Sequence, residues 1–321
     1  MMQKDAKIYL AGHTGLVGSA IHRALERHGY RHVVVRRFEE LDLRDGAAVE
    51  RFFAAERPEH VFLVAAKVGG IHANDTLPAE FIYDNLAIQL NVLHQSWRHG
   101  VKSLLFTGSS CVYPRDCPQP IREEYLLTGP LEKTNEAYAV AKIAGIKMCH
   151  AYNRQYGTRF LPVMPTNQYG LNDNYHPEHS HVFPALIRRF HEAKVAGAPS
   201  VTLWGTGSPY REFLCSDDLA EACLFLMNLP AEKVFDRPDV LYNIGSGTDL
   251  TIRDLAATIA RVVGYRGDIR WDPSKPDGTP RKLLDVSRLT ALGWRPRISL
   301  EEGIKLAYQD FLARFESGAR P

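Results

Sequence analysis

Tyr138 and Lys142 stand four residues apart in Tyr-Ala-Val-Ala-Lys, and Ser109 lies upstream in Thr107-Gly108-Ser109-Ser110-Cys111-Val112-Tyr113-Pro114. Residues at i and i+4 share one helix face, so an ammonium at 142 can sit near a phenol at 138 and make it easier to ionise. A serine hydroxyl beside them completes a proton-donating set. Reversible hydride transfer at an alcohol or sugar carbon needs such a set, because the oxygen gains or loses a proton as the carbon gains or loses a hydride. Ser109 would hydrogen-bond that oxygen and Tyr138 would pass the proton. The Tyr-x-x-x-Lys spacing also occurs on any amphipathic helix, and it acquires meaning only beside a nucleotide site.

Such a site can be read at the start of the chain. Residues 7–11 form a short apolar strand pattern, followed by Gly12-His13-Thr14-Gly15-Leu16-Val17-Gly18 and a helical pattern that ends at Gly29. Strand, glycine turn and helix in this order suit a dinucleotide. The glycines permit a tight turn and close approach to a pyrophosphate, and the helix start offers free N–H groups to the anion. The GxxGxxG spacing differs from the commoner GxGxxG, so a plain turn is the alternative. A second strand at residues 32–35 runs into Arg36-Arg37, where an NAD enzyme would place an acid. Two cations there suit the 2′-phosphate of NADP(H), or else are solvated beside Glu39-Glu40.

The elements that must position these groups come in alternation. A helix spans residues 45–57, a strand 60–65, a long helix 78–99, a strand 103–107, the Tyr138 helix runs to about 156, and a fifth strand covers 160–164 before Pro165-Thr166-Asn167-Gln168. The loop Lys67-Val68-Gly69-Gly70-Ile71 would border the cofactor or be an ordinary turn. From residue 171 the chain becomes polar and turn-rich, with Pro184 in the first turn of a helix to 195, short strands near 201–204 and 211–213, and a further sheet strand at 241–244. Thr251-x-x-Asp254 and Ser299-x-x-Glu302 have the form of capping boxes, and a basic loop, residues 275–282, lies between them. The expected class is α/β, a Rossmann-type doubly wound parallel sheet with a smaller, discontinuous C-terminal substrate domain. Residues 1–170 and 218–250 would form the cofactor domain, and 171–217 and 251–321 the substrate domain.

Composition narrows the chemistry. The 321 residues carry 39 basic and 37 acidic side chains, a net charge of +2, too balanced for a nucleic-acid or membrane partner. No apolar run is long enough to span a bilayer, and no apolar leader pattern follows Met1. Five cysteines, Cys111, Cys117, Cys149, Cys215 and Cys223, make an odd set without CxxC pairs, which argues against a disulfide frame or a structural zinc. A reducing, cytoplasmic location is expected, with small-molecule chemistry and no metal.

With the glycine loop, Ser109, Tyr138 and Lys142 in this order, the chain resembles the extended short-chain dehydrogenase/reductases that act on nucleotide sugars, over nearly its whole length. More narrowly, the segments 67–71, 108–114 and 164–167, Ser180-His181-Val182, Arg211-Glu212-Phe213 and 275–285 are similar to those of the members that convert GDP-4-keto-6-deoxy-D-mannose to GDP-L-fucose. The resemblance implies a homodimer, NADP(H), epimerisation at C3 and C5, and reduction at C4. It implies Ser109, Tyr138 and Lys142 for reduction, with Cys111 and His181 as base and acid for epimerisation. To the glycine loop and Arg36-Arg37 it adds Thr107, Gly108, Ser109, Ser110, Tyr138, Lys142, Pro165, Thr166, Asn167, Gln168 and His181 at the cofactor. At the GDP end it implies Arg189, Trp204, Arg211, Asp277 and the basic loop.

The chemistry is self-consistent. A C4 ketone acidifies the hydrogens on both neighbouring carbons, so one carbonyl held by Ser109 and Tyr138 can stabilise two successive enolates. Reference pKa values of roughly 8.5 for a thiol and 6.5 for an imidazole put Cys111 and His181 within reach of neutral pH. Without the resemblance, Cys111 reads more readily as a small buried hydrophobe and His181 as a helix-capping surface residue. Two positions depart from the pattern: Thr14 stands where some members have arginine, and Gln168 where leucine is common. The competing expectations are a 4-epimerase or 4,6-dehydratase of the same fold, or a sensor that has lost catalysis. A dehydratase would carry an acidic pair where Ser110-Cys111 stands, and a sensor has no use for Ser109, Tyr138 and Lys142.

Overall fold

Short apolar runs bounded by glycine or polar turns become strands, and the 3.6-residue apolar patterns between them become helices. The computed structural model describes residues 1–177, 180–275 and 277–316. Glu178 and His179 of the turn-rich stretch, Pro276 of the basic loop and residues 317–321 lie outside the described residues. The first half of the chain runs β1 (Ile8–Ala11), α1 (Leu16–Arg27), β2 (Val33–Val34), α2 (Gly46–Glu56), β3 (His60–Leu63), α3 (Ile71–Thr76), α4 (Pro78–Arg98), β4 (Ser103–Thr107), α5 (Glu136–Tyr156) and β5 (Phe160–Pro165). Next come β6 (Asn167–Tyr169), α6 (Val182–Val195), β7 (Ser200–Trp204), β8 (Tyr210–Cys215), α7 (Ser216–Asn228) and α8 (Ala231–Val234). The chain ends with β9 (Tyr242–Ile244), β10 (Asp249–Thr251), α9 (Ile252–Val263), β11 (Asp268–Asp272), β12 (Arg281–Lys282), α10 (Ser287–Ala291) and α11 (Leu300–Glu316).

Six strands pair in parallel in the order β2-β1-β3-β4-β5-β9. Alternate residues of β1 serve opposite faces: Ile8 and Leu10 join Ala20, Leu25 and Leu219 on one side, and Tyr9 and Ala11 join Val49, Phe53 and Val92 on the other. Helices therefore cover both faces, and the expected doubly wound sheet is present. Since β2 and β3 flank β1, the chain reverses direction there, and a crevice opens above the carboxyl ends of β1 and β3. Gly12 has φ +95°, and a Cβ on it would lie 2.7 Å from the Ala65 nitrogen. One turn into α1, a Cβ on Gly18 would lie 1.9 Å from the Gly12 oxygen. These two glycines let loop and helix close together at the crevice.

A separate core gathers Tyr169, Phe183, Phe190, Phe213, Leu255, Ile259 and Phe311. Its strands are β8, flanked by β6, β10 and β12, and the parallel pair β7 and β11. The Ser299 capping box forms in full, Ser299 N donating to Glu302 Oε2 at 3.0 Å and Glu302 N to Ser299 Oγ at 3.3 Å, whereas Thr251 caps its helix by accepting from Asp254 N at 3.0 Å while its hydroxyl donates to Asp254 Oδ2 at 2.6 Å. Three details differ from the expectation. Residues 71–76 are helical, and Arg281–Lys282 is a strand on β8 rather than loop. Leu284, Leu289 and Trp294 pack into the cores of the large sheet, although residues 251–321 were expected to stay with the smaller unit. Among the described residues no helix is long and apolar enough to cross a membrane, and no cluster of three His, Cys, Asp or Glu could hold a metal.

Candidate active site

Strand β4 ends at Thr107 and turns through Gly108 into a short 3₁₀ segment, Ser110–Val112, that Ser109 caps: its Oγ accepts from Cys111 N at 3.3 Å. Helix α5 lies against this turn and brings Tyr138 and Lys142 to it. The Lys142 side chain is buried, its residue only 2 % exposed, and Nζ donates to the Thr107 carbonyl at 2.9 Å. Nζ also stands 4.9 Å from the Phe106 ring centre and 5.8 Å from that of Tyr138. Burial lowers the Lys142 pKa to about 7. The Tyr138 phenol moves the other way: burial and the neighbouring Cys111 raise it, against a hydrogen bond with Ser109 that lowers it. The expected easing of phenol ionisation by Lys142 is not among these influences, and burial dominates. Tyr138 stays protonated, the form a donor to a ketone oxygen requires.

Two residues not expected there meet Cys111: Asn135, which the sequence did not single out, and Lys282, expected with the basic loop at the GDP end. Asn135 Nδ2 donates to the Cys111 sulfur at 3.3 Å and Lys282 Nζ at 3.5 Å. Burial raises the thiol pKa, but the Lys282 charge and hydrogen bonds from Ser109, Lys282 and Asn135 outweigh it, and the net shift is downward. Asn135 Oδ1 is buried without a partner, an acceptor left for a ligand hydroxyl. Asn135 lies three residues before Tyr138, a helix-face spacing that could have found it. Lys282 needed the β12–β8 pairing.

His181 is the N-cap of α6, its carbonyl accepting from Ala185 N at 3.1 Å. Its ring is open to solvent by surface area, yet the walls around it desolvate the imidazolium and lower its pKa. Trp204, 66 % exposed at the end of β7, lies between two cations, with Arg189 5.9 Å and Lys275 5.6 Å from its ring. Arg211 donates to the Tyr210 carbonyl at 2.7 Å; its pKa is lowered by burial, against the fields of Asp277 and Cys111, so it lies between the thiol and the basic loop. Asp277 accepts from Thr206 N at 3.0 Å and Thr206 Oγ1 at 2.6 Å, so its carboxylate already holds the loop against the 205–208 turn.

At the crevice, Gly15 begins α1 without a side-chain cap, and His13 Nδ1 is buried with no partner. Thr14 offers its carbonyl to Asn172 Nδ2 at 2.7 Å, while Leu16 and Val17 are the first helical residues. An uncapped helix start, an orphaned buried nitrogen and a side-chain-free cradle fit a dinucleotide pyrophosphate. The arginine pair divides. Arg36 is held by Glu56 at 2.6 Å and by the Val35 carbonyl at 2.8 Å, whereas the Arg37 side chain is exposed and its charge reaches His13. Beyond Pro165, Thr166 Oγ1 and Asn167 Nδ2 donate to the Glu212 carbonyl at 3.3 and 2.8 Å, and Gln168 Nε2 to the Thr166 carbonyl at 3.1 Å. Lys67 pairs with Glu80 and Asp84, so its loop is tied to α4.

Comparison with known proteins gives the same picture at full length. Residues 8–245 match the model of the NAD dependent epimerase/dehydratase family. The chain is 58 % identical over 314 residues to GDP-L-fucose synthase 1 of Arabidopsis thaliana, covering 97 % of this chain and 95 % of that one. It is 55 % identical over 309 residues to GDP-L-fucose synthase of Escherichia coli (strain K12), covering 95 % and 96 %. Its fold superposes with TM-score 0.89 on a GDP-L-fucose synthetase from Naegleria fowleri bound to NADP, 28 % identical, covering 100 % of this chain and 98 % of that one.

The buried ammonium carries a stability prediction. The Lys142 pKa of about 7 lies below the ordinary 10.5, so between those values the unfolded chain holds a proton that the native chain lacks. Stability rises with pH across that window, and below it the full cost of the buried cation is carried. Lys142→Met should therefore be more stable than wild type by about 2 to 4 kcal/mol at pH 6.5, with the gap narrowing towards pH 10. Urea unfolding at both pH values checks this; a variant no more stable at pH 6.5 contradicts it.

Proposed function

Because the chain belongs to the NAD dependent epimerase/dehydratase family, and within it to the GDP-L-fucose synthases, we infer that its site converts GDP-4-keto-6-deoxy-D-mannose to GDP-L-fucose. It epimerises C3 and C5 and reduces the C4 ketone with NADPH. The observation that carries this reading is the wall on which a protonated phenol, a serine hydroxyl and a thiol of lowered pKa converge. Reduction needs the first two and epimerisation needs the third.

Ser109 and Tyr138 donate to the C4 oxygen, drawing charge from C3 and C5. The Cys111 thiolate takes a proton from one of these carbons: an S–H bond forms and the C–H pair becomes the enolate. His181, as its imidazolium, gives the opposite face a proton as its N–H bond breaks, the carbon is inverted, and proton exchange of both groups with solvent resets the pair for the second carbon. NADPH held at the glycine loop would supply the hydride for C4. Tyr138 gives its proton to the C4 oxygen, and Lys142 offsets the phenolate that results. The glycine loop from Gly12 to Gly18 and Arg37 hold the coenzyme. Arg189, Arg211 and Lys275 offer cations to the diphosphate, with Trp204 as a wall for the base. In domain terms, the large sheet serves the coenzyme and the third core the GDP-sugar. A thiol base suits a reducing compartment such as the cytoplasm.

A homodimer completes the proposal. Helices α4 and α5 bind each other through Gln89 Nε2 to the Ala141 carbonyl at 2.5 Å and a stack of Trp97 on Tyr156 at 4.3 Å. Their outer faces leave Tyr83, Leu90 and Val140 exposed, with Ala144 and Ala151 in line. Two copies of this helix pair can bury one another as a four-helix contact.

Three outcomes are expected. In heavy water without NADPH, wild type should exchange deuterium into C3 and C5, and Cys111→Ser should lose exchange about a hundredfold or more. Tyr138→Phe should retain measurable exchange while NADPH oxidation falls by about the same factor or more. NMR of the sugar and absorbance of the coenzyme report the two halves; exchange at wild-type rate in Cys111→Ser would sink the assignment. For the coenzyme, Arg37→Ala should weaken NADPH about ten- to a hundredfold more than NADH, the worth of one charge-assisted phosphate bond. Arg36→Ala should discriminate less, because Glu56 already holds that guanidinium; binding titrations that show equal losses for both coenzymes in Arg37→Ala argue against it. Light scattering at micromolar protein should give twice the chain mass, and Leu90→Glu should shift it towards one; a fully active wild-type monomer refutes the dimer.

A further inference from the structure

Glu212 has no role in the chemistry above, yet it is 0 % exposed and ties together three separated pieces of chain, two through its carboxylate and one through its backbone carbonyl. Oε1 accepts from Gly247 N at 2.7 Å and Ser246 Oγ at 3.4 Å, beyond β9, and Oε2 accepts from Leu284 N at 3.0 Å, beyond β12. Its own carbonyl receives Thr166 and Asn167, just past β5. All these donors are neutral. A buried carboxylate satisfied this way is retained where each oxygen is needed, since glutamine offers one acceptor oxygen for two backbone N–H groups. Gly245 keeps the space clear: a Cβ there would lie 2.3 Å from Oε1.

The residue whose position depends most on this clamp is Lys282. Strand β12 is two residues long and pairs with β8 only at Arg281 with Tyr210 and Lys282 with Arg211. So short a strand does not hold its own register. The register is set just downstream, by Leu284 N on Glu212, Leu283 N on Gln119 Oε1 at 2.9 Å, and Ile121 N on the Leu283 carbonyl at 2.7 Å. Lys282 lies two residues before the Leu284 anchor, with Nζ on the Cys111 sulfur at 3.5 Å.

We propose that Glu212 is a positioning residue for the epimerase half of the reaction, holding β12 in register so that the Lys282 ammonium stays on the Cys111 sulfur. The inference rests on the reading of Cys111 as an acid–base group. Burial alone would raise that thiol, and the Lys282 ammonium is the largest influence that brings it down. The other charged or titratable groups around the sulfur are Arg211 from β8 and Tyr138 from α5, with Arg115, Glu132 and Arg281 in the same pocket wall.

The test measures the thiol and the reaction separately. Iodoacetamide labelling of Cys111 against pH, followed on its own peptide by mass spectrometry, gives the thiol midpoint without reference to catalysis. Lys282→Met should raise that midpoint by about one pH unit, roughly a tenfold slower labelling at fixed pH below it, and Glu212→Gln by about half a unit, roughly threefold. Deuterium exchange at C3 and C5 should fall with the thiolate fraction in both variants and recover when the pH is raised past the new midpoint, a recovery that a misfolded site does not show. Gly245→Ala, which displaces the carboxylate without removing it, should move the midpoint the same way and serves if Glu212→Gln does not fold. A wild-type midpoint in Glu212→Gln or Gly245→Ala beside a raised one in Lys282→Met overturns the proposal, as does an unmoved midpoint in all three. Midpoints that move while exchange stays at the wild-type rate support the clamp and overturn Cys111 as the base.

Discussion

The site depends on one buried ammonium. Lys142 is shut away from water with a strand carbonyl as its hydrogen-bond partner, an arrangement that costs stability and that a methionine would relieve. It persists because α5 is held in place by stronger contacts elsewhere. The His94, Trp97, Tyr152 and Tyr156 rings lock the lower half of α5 to α4, and Tyr152 stacks on Phe160 of β5. With the helix fixed at that end, its first turns must carry Tyr138 and Lys142 to the β4 terminus whatever the local cost.

Burial also sorts the protons. The same low-dielectric pocket raises the phenol and lowers the ammonium, so Tyr138 waits as a donor, and Lys142 in its ammonium form offsets the phenolate as it forms. Cys111, on the neighbouring turn, escapes the general trend through the cation and amide aimed at its sulfur. Burial alone thus sets opposite proton states on an acid and a base in one cavity, and only Cys111 needs its neighbours to depart from what burial dictates.

Legibility in the sequence tracked the range of the contact. Contacts within a few residues could be read: the β1–glycine–α1 unit, the Tyr138–Lys142 helix face, and the helix caps at Thr251 and Ser299. The alternation of strands and helices was enough for the doubly wound sheet. The features that escaped depend on distant partners. Arg36 looked as free as Arg37 because Glu56 is twenty residues away and becomes its partner only when α2 packs beside β2. Arg281–Lys282 looked like loop because two residues carry no period, and its strand exists only through β8. Asp277 looked free for a ligand until Thr206 was brought to it.

The third core has a consequence for how such a protein can change over generations. Its residues come from three stretches, from Tyr169 to Cys215, Leu250 to Trp271 and Ile298 to Leu312, while α7, β9 and α10 between them return to the large sheet. No single cut of the gene separates the two halves, and a recombination event that exchanged one stretch would strand it among partners that had not changed with it. Substitution of pocket residues in place leaves that interleaved frame whole, which exchange of a stretch does not.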